Sequence, residues 1–320
     1  MSELPSQLNI PAPAALAAAQ EKAMLDKALK PWGQMFLLAL SGGAFIALGF
    51  VFFVSSQQGL GADFPLGVAK VLGGLVFSVG LMLVVVSGSD LFTGTTMTLM
   101  PLLSKSLGTG RWLGHWGVSL AGNLVGSVGV ALLILWSGTP ESNKGAWGLV
   151  VMNTSLAKVT HTWGQAFFLG VFANFAVCLA VWLATSGRST ADKILACLGP
   201  VALFVASGFE HSVANMFMLP MGLLIKDFGG DAFWSSEAVV KAGKHVGDYD
   251  ALTLGSVVGD NLIPVILGNI VGGGILVGGY FWACYIAPAR RAAAAQSSGS
   301  DGPAAAGAGA AHPGGGPAAR

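Results

Sequence analysis

The apolar run Ile194–Ala206 is stopped by Ser207-Gly208-Phe209-Glu210-His211 and resumes at Met216–Ile225. A carboxylate and an imidazole therefore interrupt what would otherwise be one long membrane-crossing helix. Ionisable groups at that depth are costly to desolvate, and where they occur they face a cavity or a pathway. Glu210 and His211 are accordingly candidate pore residues. A hydrogen-bonded structural pair in a re-entrant turn is the other reading these residues allow.

The rest of the 320 residues has the same character, 53% hydrophobic and only 10% charged, with a mean hydropathy of +0.69. Soluble domains are about 25% charged, so the chain reads as an integral membrane protein. Its long apolar runs fit an all-α architecture, not the alternation of an outer-membrane barrel. A net charge of +1 argues against a nucleic-acid partner held by a basic surface. Cys178, Cys197 and Cys284 lie inside apolar runs without paired or metal-ligand spacing, which makes them buried packing residues. No metal and no cofactor is expected. The opening Met-Ser-Glu-Leu-Pro lacks the apolar core of a cleavable signal, which points to an inner or plasma-type membrane.

Spans are expected at about 34–54, 67–86, 113–136, 163–185, across the break at 194–225, and at 257–286. Residues 1–33 form a cytoplasmic leader. Within it Ala14–Lys30 carries Leu16, Met24, Leu25 and Leu29 loosely on one side at helical spacing. Such a helix either anchors at the membrane surface or caps a pore mouth. Residues 137–162 and 226–250 read as polar connections. Residues 288–320, mostly Ala, Gly and Pro, read as a disordered tail, which leaves 34–287 as the channel domain.

The two halves resemble each other. Ser87-Gly88-Ser89-Asp90 and Ser207-Gly208-Phe209-Glu210 both break the second span of their half, and a short apolar piece follows each, to Pro101 or Pro220. Gly122-Asn123-Leu124-Val125-Gly126 in the third span echoes Gly268-Asn269-Ile270-Val271-Gly272 in the sixth. Three spans per copy is an odd number, so the second copy inserts upside down: an inverted 3+3 repeat with two broken helices. That arrangement is a transporter and channel signature, with the site between the breaks. The paired glycines let helix backbones touch. Asn269 either faces the pore or makes an interhelical hydrogen bond, and Asn174 is placed to orient the broken loop. Ten of the 16 Lys and Arg fall on the side of an inside N-terminus, so both termini are expected in the cytoplasm.

At these residues the chain resembles the formate–nitrite transporter family. The string Gly208-Phe209-Glu210-His211-Ser212-Val213-Ala214-Asn215-Met216 resembles its signature, and Asp90-Leu91-Phe92-Thr93 and Asp260-Asn261-Leu262-Ile263-Pro264 look like its other landmarks. The continuation Met216–Gly222 is most similar to the formate-channel branch. The resemblance implies an aquaporin-like protomer of six spans in a homopentamer with one pore per subunit. It implies a mobile loop carrying Leu91, Phe92 and Thr93, and a pore histidine at His211. Leu81, Leu91 and Phe92 would form the cytoplasmic constriction, and Phe77 and Phe204 the periplasmic one. Lys158, with His161 following, matches the family's vestibule lysine. Gly94 departs from the family pattern, where Ser is expected.

Transport of small monovalent anions or weak acids follows as the expected function, formate first, with nitrite, hydrosulfide or acetate as alternatives and protons as a co-substrate. Lys158 would attract the anion, Thr93 and Asn269 would position it, and His211 would donate a hydrogen bond or a proton, because imidazole changes charge near physiological pH. Glu210 would orient the loop and hold a backbone N–H or the histidine tautomer. A water or glycerol facilitator would carry Asn-Pro-Ala at its breaks, which this chain does not. An enzyme would need more convergent polar groups than the scattered His115, His161, His245 and His312.

Overall fold

A computed structural model describes residues 10–60 and 63–299. The expectations for the first nine residues and for the tail from 300 lie outside the described residues. Every regular element among the described residues is helical.

Helix α1, Pro13–Ala28, buries Leu16, Ala17, Gln20, Met24 and Ala28 on one face. Leu29 is exposed, so the buried stripe runs one step away from the expected one and contains a polar Gln20. This helix does not lie free on a surface. Arg111 donates from Nε to the Ala28 carbonyl at 2.6 Å and also to Lys30 O. It thereby satisfies one carbonyl that the helix C-terminus leaves unpaired, that of Ala28, and a second just past the helix end.

Helices α2 (Trp32–Gln57), α3 (Leu66–Ser87), α6 (Thr109–Trp136), α8 (Trp163–Ser186) and the final helix (Ser256–Gln296) are each long and apolar enough to cross a membrane. Between α3 and α6 lie the short pieces α4, Phe92–Thr95, and α5, Leu99–Leu103. The expected fifth span comes as two helices, α9 (Thr190–Ala206) and α10 (Ser212–Phe228), of 17 residues each. At about 1.5 Å per residue each reaches about 25 Å, short of the about 30 Å of hydrocarbon, so neither crosses alone.

Glycine decides how closely the long helices approach. A Cβ on Gly126 of α6 would overlap the Leu40 carbonyl oxygen of α2, and one on Gly272 would overlap that of Val171 in α8. Carbonyl-to-Cα packing of this kind is how helices associate where lipid supplies no hydrophobic drive.

Three expectations need correction. The 137–162 connection is not simply polar: it contains α7, Ala146–Val159, with Trp147, Val151 and Met152 buried. At 14 residues it is too short to cross a membrane, so a window sized for a whole span averages its apolar run Leu149–Met152 with the polar residues around it. The expected tail is helical over Ala287–Gly299, as its run of alanines favours. Cys284 is exposed, whereas Cys178 and Cys197 are buried.

Candidate functional site

Both breaks are built by the same local rules. Helix α3 ends at Gly88 with φ 73°, and α9 ends just before Gly208 with φ 72°, a left-handed conformation open to glycine at no steric cost. The chain then turns inward. Asp90 N–H donates to Leu38 O at 3.0 Å, and Glu210 N–H donates to Leu169 O at 3.2 Å.

One asparagine clamps each break. The Asn123 amide donates to Ala39 O at 2.6 Å and Asp90 O at 2.9 Å, and its Oδ1 accepts from Phe92 N–H at 2.8 Å. Asn269 repeats this with Gly170 O at 2.8 Å, Glu210 O at 3.0 Å and Ser212 N–H at 2.9 Å. Non-helical backbone at membrane depth is thereby satisfied from within the protein. The two donors of Asn269 are committed and its carbonyl is occupied, so of the two roles open to it the geometry selects the interhelical clamp, not substrate positioning. Asn174 donates to Thr93 O at 3.0 Å and Asn269 O at 2.6 Å, tying the first break to the second half.

Each break carboxylate also receives a lysine. Lys27 of α1 lies 3.5 Å from Asp90 and donates to Ser89 O at 3.0 Å; Lys158 of α7 lies 2.8 Å from Glu210. Both lysines sit five residues before the tryptophan that begins the next span, Trp32 or Trp163. Helix α1 is thus the counterpart of α7. Asp90 further accepts from His115 Nε2 at 2.6 Å and Ser119 at 3.1 Å. Glu210 accepts from Asn215 at 2.6 Å and Asn261 at 3.2 Å. Sequence reasoning gave no role to Lys27, His115, Asn215 or Asn261; the repeated lysine-to-tryptophan spacing was the available signal for the first.

Two cavities flank this core. The larger, about 590 Å³, is lined by Phe50, Phe77, Lys158, Phe204, Glu210 and His211 among others. The smaller, about 300 Å³, is lined by Met24, Lys27, Leu81, Ser89, Leu91 and Gly94 among others. Phe77 meets Phe204 edge-on at 5.8 Å, and Phe204 stacks on the His211 ring at 5.7 Å. Phe92 is buried against Trp116 at 6.0 Å.

Thr93 is buried next to Gly94, which lines the smaller cavity, and lies 3.0 Å from Nε2 of His211, which lines the larger. The histidine's other nitrogen, Nδ1, accepts from Ala214 N–H at 3.1 Å and caps α10. A backbone N–H can only donate, so Nδ1 carries no proton and the neutral ring is the Nε2–H tautomer. Nε2 then donates to Thr93 Oγ1, whose own proton has no acceptor among the described residues. Glu210 does not hold this tautomer, contrary to expectation; its oxygens face Lys158, Asn215 and Asn261. Among the described residues no group of His, Cys, Asp and Glu has the arrangement to hold a metal ion.

A family model described as formate/nitrite transporter matches residues 14–283. The chain is 45% identical to the formate channel FocA of Escherichia coli (strain K12) over 274 residues, 86% of this chain and 94% of that one. It is 36% identical to a probable formate transporter of Methanothermobacter thermautotrophicus, covering 88% of this chain and 98% of the relative. Among solved structures, a pentameric formate channel with formate bound is similar at a TM-score of 0.72 and 40% identity, covering 80% of this chain and 98% of that chain.

Proposed function

The chain belongs to the formate/nitrite transporter family, and on that premise we propose that it carries formate across the inner membrane through a pore within each subunit of a homopentamer. The likeness to a pentameric formate channel with formate bound supports both the substrate and the assembly. The observation that carries the reading is the Thr93–His211 hydrogen bond between two cavities with aromatic and aliphatic walls.

Both termini lie in the cytoplasm, which makes the smaller cavity the inner vestibule and the larger one the outer. Three spans on each side of the 137–162 connection require that the second copy insert inverted. Leu81 and Leu91 narrow the inner side and Phe77 and Phe204 the outer, with Phe92 supporting the inner ring from behind. These rings offer nothing to replace an ion's water, so they favour the undissociated acid over the bare anion. At the centre the Thr93 hydroxyl donates to the passing oxygen while His211 holds that hydroxyl in place. An anion reaching the outer vestibule takes a proton from solvent there, crosses as the acid and gives the proton up to solvent on the inner side, so uptake is linked to that proton. Reconstitution in liposomes, with formate, nitrite, hydrosulfide and glycerol compared, tests the reading: formate flux supports it, and glycerol flux without anion flux refutes it.

A further inference from the structure

We propose that Lys70, not Lys158, supplies the charge that draws the substrate anion into the larger cavity. The inference rests on the transport reading above and assigns its capture step.

The ionisable side chains on that cavity's wall are Lys70, Lys158, His161, Glu210 and His211. Lys158 is not free to act as a monopole. Its Nζ lies 2.8 Å from Glu210 Oε1, with side-chain exposures of 13% and 2% for the two partners. His161 Nε2 lies 3.9 Å from the same oxygen. A cation and an anion this close form a dipole whose field falls off steeply, and an anion that pulled Lys158 away would leave a buried carboxylate unpaired. His211 points its two nitrogens at Ala214 and Thr93.

Lys70 differs on each count. It is exposed, one turn into α3, and makes no hydrogen bond or ion pair with the described residues. Asp63, the nearest acid earlier in the chain, forms no ion pair with it among the described residues. The N-terminal turn of α3 adds its partial positive charge at the same mouth. An ammonium on a flexible stem is a strongly hydrated point charge. It concentrates small monovalent carboxylates without gripping them and leaves discrimination to the aromatic ring beyond.

The test is formate influx into proteoliposomes at ionic strengths from about 10 mM to about 200 mM, across which the screening length falls from about 30 Å to under 8 Å. With Lys70→Gln, influx at low substrate and low salt should fall about three- to tenfold, maximal flux should be unchanged, and the salt dependence should disappear. Lys70→Arg should restore all three. An exposed position leaves the fold intact, which an unchanged melting temperature verifies. Lys70→Gln with the wild-type apparent KM and salt dependence would overturn the assignment while formate still flowed; absence of formate flux in the wild type would instead overturn the transport reading.

Discussion

His211 Nε2 stands 3.0 Å from Thr93 Oγ1, and the ring is held there by its own helix, because Nδ1 accepts the N–H of Ala214. Protonating Nδ1 would remove the N-cap of α10. The imidazole is therefore better built to position a hydroxyl than to shuttle a proton of its own. His211→Asn keeps a good N-cap, whereas His211→Phe leaves a helix N–H unpaired and should cost about 1 kcal/mol. Thermal unfolding in detergent should find the Asn variant near the wild-type Tm and the Phe variant below it; equal melting would remove the capping role.

Lys158 and Glu210 should behave as a unit. Lys158→Ala strands a buried carboxylate and should destabilise by about 3–5 kcal/mol. Adding Glu210→Gln removes that charge and should recover most of the loss. Unfolding measurements on the two single variants and the double variant decide it, and simple additivity would mean that the ion pair contributes nothing.

Asn123 and Asn269 make the same three hydrogen bonds in the two halves. Truncating either to Ala leaves buried backbone groups unpaired, at about 1–3 kcal/mol per group at most. The two Ala variants should lose similar stability. A large loss at one and none at the other would break the equivalence of the breaks.

Much of this was legible in the sequence. The breaks at Asp90 and Glu210 announced themselves because charge inside an apolar run has few physical explanations. The Gly-Asn-x-x-Gly echo pointed to the clamps, although it could not say whether Asn269 faced the pore or a neighbouring backbone. Helix α7 was hidden because a 14-residue element is shorter than a membrane span, and a window sized for one averages it with its polar flanks. His115 was hidden because its partner Asp90 is 25 residues away, a relation that only the fold creates; Lys27, 63 residues from Asp90, was marked only by its spacing to Trp32, shared with Lys158 and Trp163. The histidine tautomer depends on a local cap, and no residue pattern records which nitrogen accepts.

The glycine contacts predict a sharp positional contrast. Gly126→Ala and Gly272→Ala place a methyl group on a carbonyl oxygen of the adjoining helix and should abolish or severely reduce folded protein. Gly129→Ala meets open space and should be neutral or slightly stabilising, since Ala is the better helix former by about 1 kcal/mol. Expression and size-exclusion profiles distinguish the three.

Leu81 and Leu91 line the smaller cavity, whereas Phe92 packs on Trp116. Leu81→Ala should therefore admit acetate and larger carboxylates more readily relative to formate. Flux ratios in vesicles measure this, and an unchanged ratio would remove Leu81 from the narrow part of the route.

Whether the substrate crosses as an acid past Thr93 and His211 is tested most directly by a pH-sensitive dye trapped in vesicles that receive an inward formate gradient. The interior should acidify in step with formate entry, and Thr93→Val should suppress both signals while Thr93→Ser retains them. Formate entry without acidification, or a Thr93→Val variant as fast as the wild type, would contradict a pathway in which that hydroxyl meets the undissociated acid.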